Sequence, residues 1–166
     1  MDAALANLIA LEEIRQLKHR YLRSVDLKNW DELADTLTPD AVADYGTPVY
    51  GDPILLTGRD AIVGFMREKL GPDLITVHLA GPPEIKVDGD TATGTWGFQD
   101  TVISSEYRVI IQGAAFYEDE YARGDDDGAW RISHTGYLRT YESMFSFDDL
   151  PSFKLTANRW APVDHK

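Results

Sequence analysis

The sequence contains no cysteine, which excludes disulfides, thiolate metal sites and a cysteine nucleophile together. It is also short of basic side chains. Lys and Arg number 16 against 28 Asp and Glu, a formal net charge of −12. Nucleic acid and anionic membranes would be repelled by that charge, so neither is an expected partner, whereas a small molecule is. No stretch approaches the ~20 consecutive apolar residues of a membrane span. The opening MDAALANLIALEEI has neither a basic n-region nor a cleavage motif, and the expected location is cytoplasmic. Internal repeats, metal-ligand spacings, a glycine-rich phosphate loop and a nucleophile elbow are all lacking, so the reactions they serve are disfavoured. At 166 residues the chain is one domain's worth, long enough to bury roughly two-thirds of its unfolded surface and still enclose a pocket.

From Leu5 to Val25 apolar residues (Leu8, Leu11, Ile14, Leu17, Tyr21, Leu22, Val25) recur at three- and four-residue steps, the period of one long amphipathic helix. A short helix is expected from Trp30 to Leu37, capped by Asn29 with Glu32 completing a capping box, and closed by Pro39. Between Ala41 and Thr57, Gly46, Pro48, Gly51 and Pro53 interrupt short β-prone runs, predicting a strand and an irregular hairpin near a rim. A third helix, Arg59 to Leu70, stops at Gly71-Pro72. Strands follow at Ile75–Leu79, Glu84–Val87, Thr91–Ser104, Arg108–Arg123 and Trp130–Tyr141, with turns at Asp88-Gly89 and Asp125–Gly128. Helices first and long antiparallel strands afterwards predict an α+β domain over residues 1–145. Residues 146–166, with Pro151 and Pro162 among aromatics, read as a C-terminal tail: a lid, an arm on a neighbouring subunit, or a partly disordered segment.

Three side chains suggest proton transfer. A carboxylate that fixes one imidazole tautomer leaves the other ring nitrogen free as a base, and a phenol donates to an oxygen where negative charge develops. Asp26 lies in the last turn of the first helix, where the macrodipole disfavours a carboxylate. Either it is a solvated helix-end residue, or it holds His78. Tyr21 precedes it by five residues, roughly 140° around the helix, so the two share no narrow stripe, and Tyr21 reads equally as a core aromatic. His78 alternates with Ile75, Val77 and Leu79, so one strand face packs while its own borders a pocket. His134 shares parity with Trp130, Ile132 and Leu138 and reads as a hydrogen-bonded core histidine. His19 falls on the charged helix face and His165 in the tail. Asp100 ends the apolar row Ala92, Trp96, Phe98, Val102, which demands a partner or a pocket mouth. Arg139 shares parity with Tyr137 and Tyr141; whether it points inward depends on a bulge that Gly136 could mark. Trp96, Phe98, Phe116 and Tyr137 are the expected apolar surround.

The stretches EEIRQLKHRYLRSVDLKNWDELADTLTP, PPEIKVDGDTATGTW, GAAFYEDEYARGDDDGAWRI and TGYLRTYESMF resemble, in order, the bile-acid 7α-dehydratases, within the broad group that includes scytalone dehydratase, the SnoaL-like proteins and nuclear transport factor 2. The resemblance implies a cone-shaped α+β barrel, with N-terminal helices packed on a strongly curved mixed β-sheet around an apolar cavity. It places the catalytic tyrosine and aspartate on Tyr21 and Asp26, the histidine on His78, and further pocket residues on Asp100 and Arg139. It implies a cofactor-independent elimination of water from a hydroxylated, polycyclic, steroid-like carbonyl compound, and a homo-oligomer, a trimer or else a dimer. A relative with the same dyad eliminates chloride from a chlorinated ring. Isomerase, cyclase and non-catalytic binding roles also occur on this fold. The chain departs from the dehydratase pattern at Thr47–Leu56, at Ser104–Arg108 and just after His78.

Overall fold

In a computed structural model, residues 2–46 and 51–161 are described. Pro48 of the expected hairpin, and Pro162 and His165 of the tail, lie outside these residues. Three helices, α1 (Ala3–Leu27), α2 (Trp30–Asp35) and α3 (Arg59–Lys69), accompany six strands: β1 (Leu37–Gly46), β2 (Ile54–Thr57), β3 (Leu74–Asp88), β4 (Thr91–Ser104), β5 (Val109–Arg123) and β6 (Trp130–Ser146). The strands form one sheet in the order β2-β1-β6-β5-β4-β3. All pairings are antiparallel except β1 with β6, so the sheet is mixed, as expected.

α1 packs against β3 and β6, and α3 against β1 and β2. Its packed stripe, Ala10, Ile14, Leu17, Tyr21, Leu22 and Val25, is buried. Leu8, read from periodicity as part of that stripe, is 62% exposed; it lies in the first turns of the helix, ahead of Ala10, the first residue of the packed stripe. Lys18 is buried instead.

α2 is shorter than expected. Asn29 makes no capping bond; Glu32 instead accepts from Arg23 and Ser24 of α1. Pro39 does not end a helix but sits exposed in β1, where the register with β6 is broken and its missing N–H costs no ladder bond. The two short strands expected around Pro82 and Pro83 are one strand, β3, bulged between Ala80 and Pro83. β3 is at the sheet edge, where prolines are tolerated. Gly89 and Gly128 take left-handed φ values of 61° and 66° at the two expected turns.

Two bulges in β6 overturn the expected parity. Ser133 is skipped in the pairing with β5, and so is Thr140. Each skipped residue reverses which side chains face inward. Ile132, Thr135, Tyr137, Arg139 and Glu142 therefore face the helices. Leu138, read as sharing a face with Ile132, is 77% exposed. His134 moves with Leu138 to the outer face, so it is not a core histidine. The bulges fall at Ser133 and Thr140 rather than at Gly136, where a side chain would meet the Asp44 carbonyl oxygen at 2.9 Å. β6 runs on through Ser146, past the expected domain end; Phe147 then stacks on Phe153 (4.8 Å), and Arg108 pairs with Asp148.

Candidate active site

The inner faces of β1, β3, β4, β5 and β6 converge with α1 and α3 on a cavity of about 690 Å³. Its walls are mostly apolar (Leu22, Val25, Met66, Val102, Ile111), and its polar lining includes Tyr21, Tyr45, His78, Asp100, Tyr117, Tyr137 and Arg139. Four of the five residues expected from sequence thus border one space, and the fifth, Asp26, stands directly behind His78.

Asp26 leaves α1 at its last turn and turns toward β3. Its Oδ1 lies 2.7 Å from His78 Nδ1 and accepts from Thr76 Oγ1 at 2.9 Å, while Oδ2 accepts the His78 backbone N–H at 2.9 Å. Three donors on one carboxylate offset its placement at the negative end of the helix. An ionised carboxylate only accepts, so Nδ1 carries the proton and Nε2 is the ring nitrogen available to the cavity. The strand face opposite His78 does not pack: Val77 and Leu79 are 46% and 65% exposed.

Also on the cavity lining, Tyr21 and Tyr45 share a hydrogen bond of 2.5 Å between their hydroxyls. Burial pushes both phenols above their usual range, so they stay protonated and act as donors. One proton closes the bond between them, and the other is free for a bound oxygen. Tyr45 was not singled out by sequence, where it stands in an irregular glycine- and proline-rich run; its parity with Ala41 and Ala43 is the signal that marks it as inward-facing.

Asp100 finds the partner its position demands. Arg139 donates to it through both terminal nitrogens, at 2.5 and 2.8 Å, with both side chains at least nine-tenths buried. The bulge at Thr140 brings Glu142 onto the same face, 3.3 Å from Arg139 Nε. Burial opposes the Arg139 charge, but the hydrogen bonds it donates to Asp100 outweigh this and hold the group fully protonated. His78 and Asp100 are directly paired across β3 and β4, so the dyad and the ion pair are neighbours on one wall.

Of the expected aromatic surround, Trp96 and Phe116 are corrected, while Phe98 lies under Arg139, 5.6 Å from its guanidinium carbon. Trp96 is fully buried behind the cavity with its indole N–H on Tyr121. Phe98 packs between Tyr117 and Tyr137, at 4.4 and 5.0 Å. Phe116 points to the outer face and is 58% exposed, since inward positions of β5 are odd-numbered. Only Tyr137 lines the cavity.

Sequence reading also missed Lys18, whose spacing from Ile14, Tyr21 and Val25 fits the packed stripe. Its ammonium lies 2.7 Å from Asp119, both side chains fully buried, and 3.3 Å from the centre of the Tyr117 ring. Asp119 also accepts from Tyr121 and Thr135. Among the described residues no cluster of His, Asp and Glu is arranged to hold a metal, and no helix is long and apolar enough to cross a membrane.

The SnoaL-like domain model matches residues 6–136. An uncharacterised protein of Mycobacterium tuberculosis is 28% identical over 137 residues, covering 80% of this chain and 86% of its own. Among solved structures, a type 2 hexachlorocyclohexane dehydrochlorinase superposes with a TM-score of 0.74 at 23% identity, covering 87% of this chain and 94% of that one. A protein of Novosphingobium aromaticivorans provisionally assigned as a scytalone dehydratase gives 0.72 at 21% identity, covering 82% and 88%. These likenesses carry the fold.

Proposed function

The chain belongs to the SnoaL-like domain family, and on that footing we propose that it is a cofactor-independent lyase that eliminates water from a hydroxylated polycyclic carbonyl compound. The observation that carries the reading is the His78–Asp26 contact at 2.7 Å, with His78 on the wall of a mostly apolar cavity that phenols and the Asp100–Arg139 ion pair also line. His78 Nε2 takes the proton α, or vinylogous, to the substrate carbonyl, and Asp26 stabilises the imidazolium. The Tyr21–Tyr45 pair donates a hydrogen bond to the carbonyl oxygen as enolate charge develops and keeps its proton throughout. As the enolate collapses, the C–O bond breaks and the imidazolium returns its proton to the departing oxygen. The C–H and C–O bonds are lost, a conjugated C=C forms, water leaves, and the protein is regenerated.

A cavity of about 690 Å³ sits within the ~300–1,000 Å³ range of drug-sized ligand sites, which suits a rigid steroid-like or aromatic polyketide-like skeleton. The same base without a leaving hydroxyl would isomerise a double bond, and with a chlorinated ring it would expel chloride; the products distinguish these reactions.

The test is a panel of hydroxylated keto-steroids and aromatic polyketide intermediates, screened by thermal stabilisation and then by the ultraviolet absorbance of a conjugated product. With a substrate in hand, His78→Ala should lower turnover roughly 10²–10⁴-fold, and His78→Ala with Asp26→Asn little further, because the two act as a unit. Near-normal turnover in a folded His78→Ala variant removes the dyad assignment, and His134, now on the outer face, offers no substitute base. We further propose a homo-oligomer, a trimer or else a dimer, joined through the outer sheet face on which Leu79, Phe116, Leu138 and Tyr141 are exposed.

A further inference from the structure

α1 ends at Leu27, and the next residue, Lys28, adopts a left-handed backbone with φ 60°, a conformation uncommon outside glycine. Its backbone N–H returns to the Ser24 and Val25 carbonyls. Its half-buried side chain reaches β3, where Nζ donates to Thr76 Oγ1 at 3.1 Å. Thr76, 4% exposed, donates in turn to Asp26 Oδ1 at 2.9 Å, the oxygen that His78 Nδ1 meets at 2.7 Å. Lys28 and Thr76 stand outside the cavity lining, so their reach to a substrate runs only through Asp26 and His78.

We propose that Lys28 and Thr76 are positioning residues for the His78–Asp26 base, acting through a one-way chain of hydrogen bonds that divides the Asp26 charge between an ammonium and the imidazole. The inference rests on the reading of His78 as the base. An ammonium has three donors and no acceptor. Thr76 oxygen must therefore accept from Lys28, and its single proton is turned toward Asp26. That direction keeps Asp26 an acceptor and leaves Nδ1 of His78 as the donor to it.

The shared charge has a second effect. An unshared Asp26 would favour a resting imidazolium, which has no lone pair with which to take a substrate proton. With Lys28 present, part of that attraction is already answered. The other charges facing His78 balance differently: Asp100, opposite it on β4, is tied to Arg139 of β6, which Glu142 also flanks, and Tyr21 of α1 is a neutral phenol. Lys28 itself feels burial, which pushes its ammonium down to about 8, and Asp26, which pulls the other way.

The test needs no substrate. The full-length protein is labelled with ¹⁵N-histidine, the ring signals are followed against pH, and the His78 signals are assigned by their loss in His78→Gln among the four histidines. Lys28→Met should move the imidazole titration to higher pH, because it removes a positive charge two hydrogen bonds away, and Thr76→Val should move it the same way, because it removes a donor to Asp26 and the link to Lys28. Lys28→Arg and Thr76→Ser should behave as the parent. Once an assay exists, the acidic limb of the rate profile should move with the NMR curve. Lys28→Met changes a helix-end residue and carries the test alone if Thr76→Val does not fold. Unchanged curves in Lys28→Met overturn the proposal, as do Lys28→Arg and Lys28→Met shifts of equal size. If the curves move but His78→Ala retains turnover, the relay stands and the proposed reaction falls.

Discussion

Lys18→Met isolates the energetics of the buried ion pair behind the cavity. Removing the ammonium leaves Asp119 fully buried with two hydroxyl donors, Tyr121 and Thr135, each at 2.7–2.8 Å, and no compensating charge. Breaking such a pair from one side costs about 3–5 kcal/mol. The two retained hydrogen bonds place this case toward the lower end, about 3–4 kcal/mol. For a chain of this length, with roughly 2–4 °C per kcal/mol, the melting temperature should fall about 10 °C.

Asp119→Asn should be milder. Burial already lowers the proton affinity of Lys18, with Asp119 the group that supports it, so a lysine deprived of its carboxylate can shed its proton rather than remain as a stranded charge. Lys18→Met with Asp119→Asn should recover at least about 1.5 kcal/mol relative to the sum of the single changes. The assay is urea unfolding followed by tryptophan fluorescence and circular dichroism, with calorimetry at fixed protein concentration because self-association would shift the midpoint. A Lys18→Met loss below about 1 kcal/mol, or strict additivity in the double variant, would refute the assignment of a buried charge pair.

Tyr45→Phe removes half of the phenol pair and should lower turnover about 10–100-fold with little change in stability, measured by steady-state kinetics on the substrate found in the screen; an unchanged kcat removes Tyr45 from the donor pair. Lys28 makes a stability prediction with a defined sign. Its folded value of about 8 lies below the ordinary 10.5, so between those pH values the unfolded chain holds a proton that the folded protein has released. Stability from this group therefore rises with pH across that window, and the melting temperature of the parent should gain on that of Lys28→Met between pH 8 and 10.5. Leu138→Glu, on the 77% exposed outer-face residue, should shift the light-scattering mass toward the monomer if the sheet face is the subunit contact; a monomeric parent at micromolar concentration would remove the oligomer proposal.

Helix periodicity in α1, the Gly and Pro punctuation and the alternation in β4 are local properties of the chain, so the order and type of nearly every element were legible in the sequence alone. It also indicated that Asp100, a charge ending an apolar row, needed a partner, since that follows from the cost of burying it alone. What it could not determine was the facing of β6. A skipped residue leaves no local mark, yet the bulges at Ser133 and Thr140 exchange the two faces, sending His134 and Leu138 outward and bringing Arg139 and Glu142 together beside Asp100. Asp26, Thr76 and Lys28 likewise meet only because the end of α1 packs on the edge strand β3. Lys18 shows the same division from the other side: its spacing placed it on the packed stripe, but a lysine is buried only where an opposite charge waits, and Asp119 is brought to it by β5 from the far end of the chain. Pairings between distant segments are decided by the sheet register and the packing of helix on sheet, and these are settled by the whole chain at once.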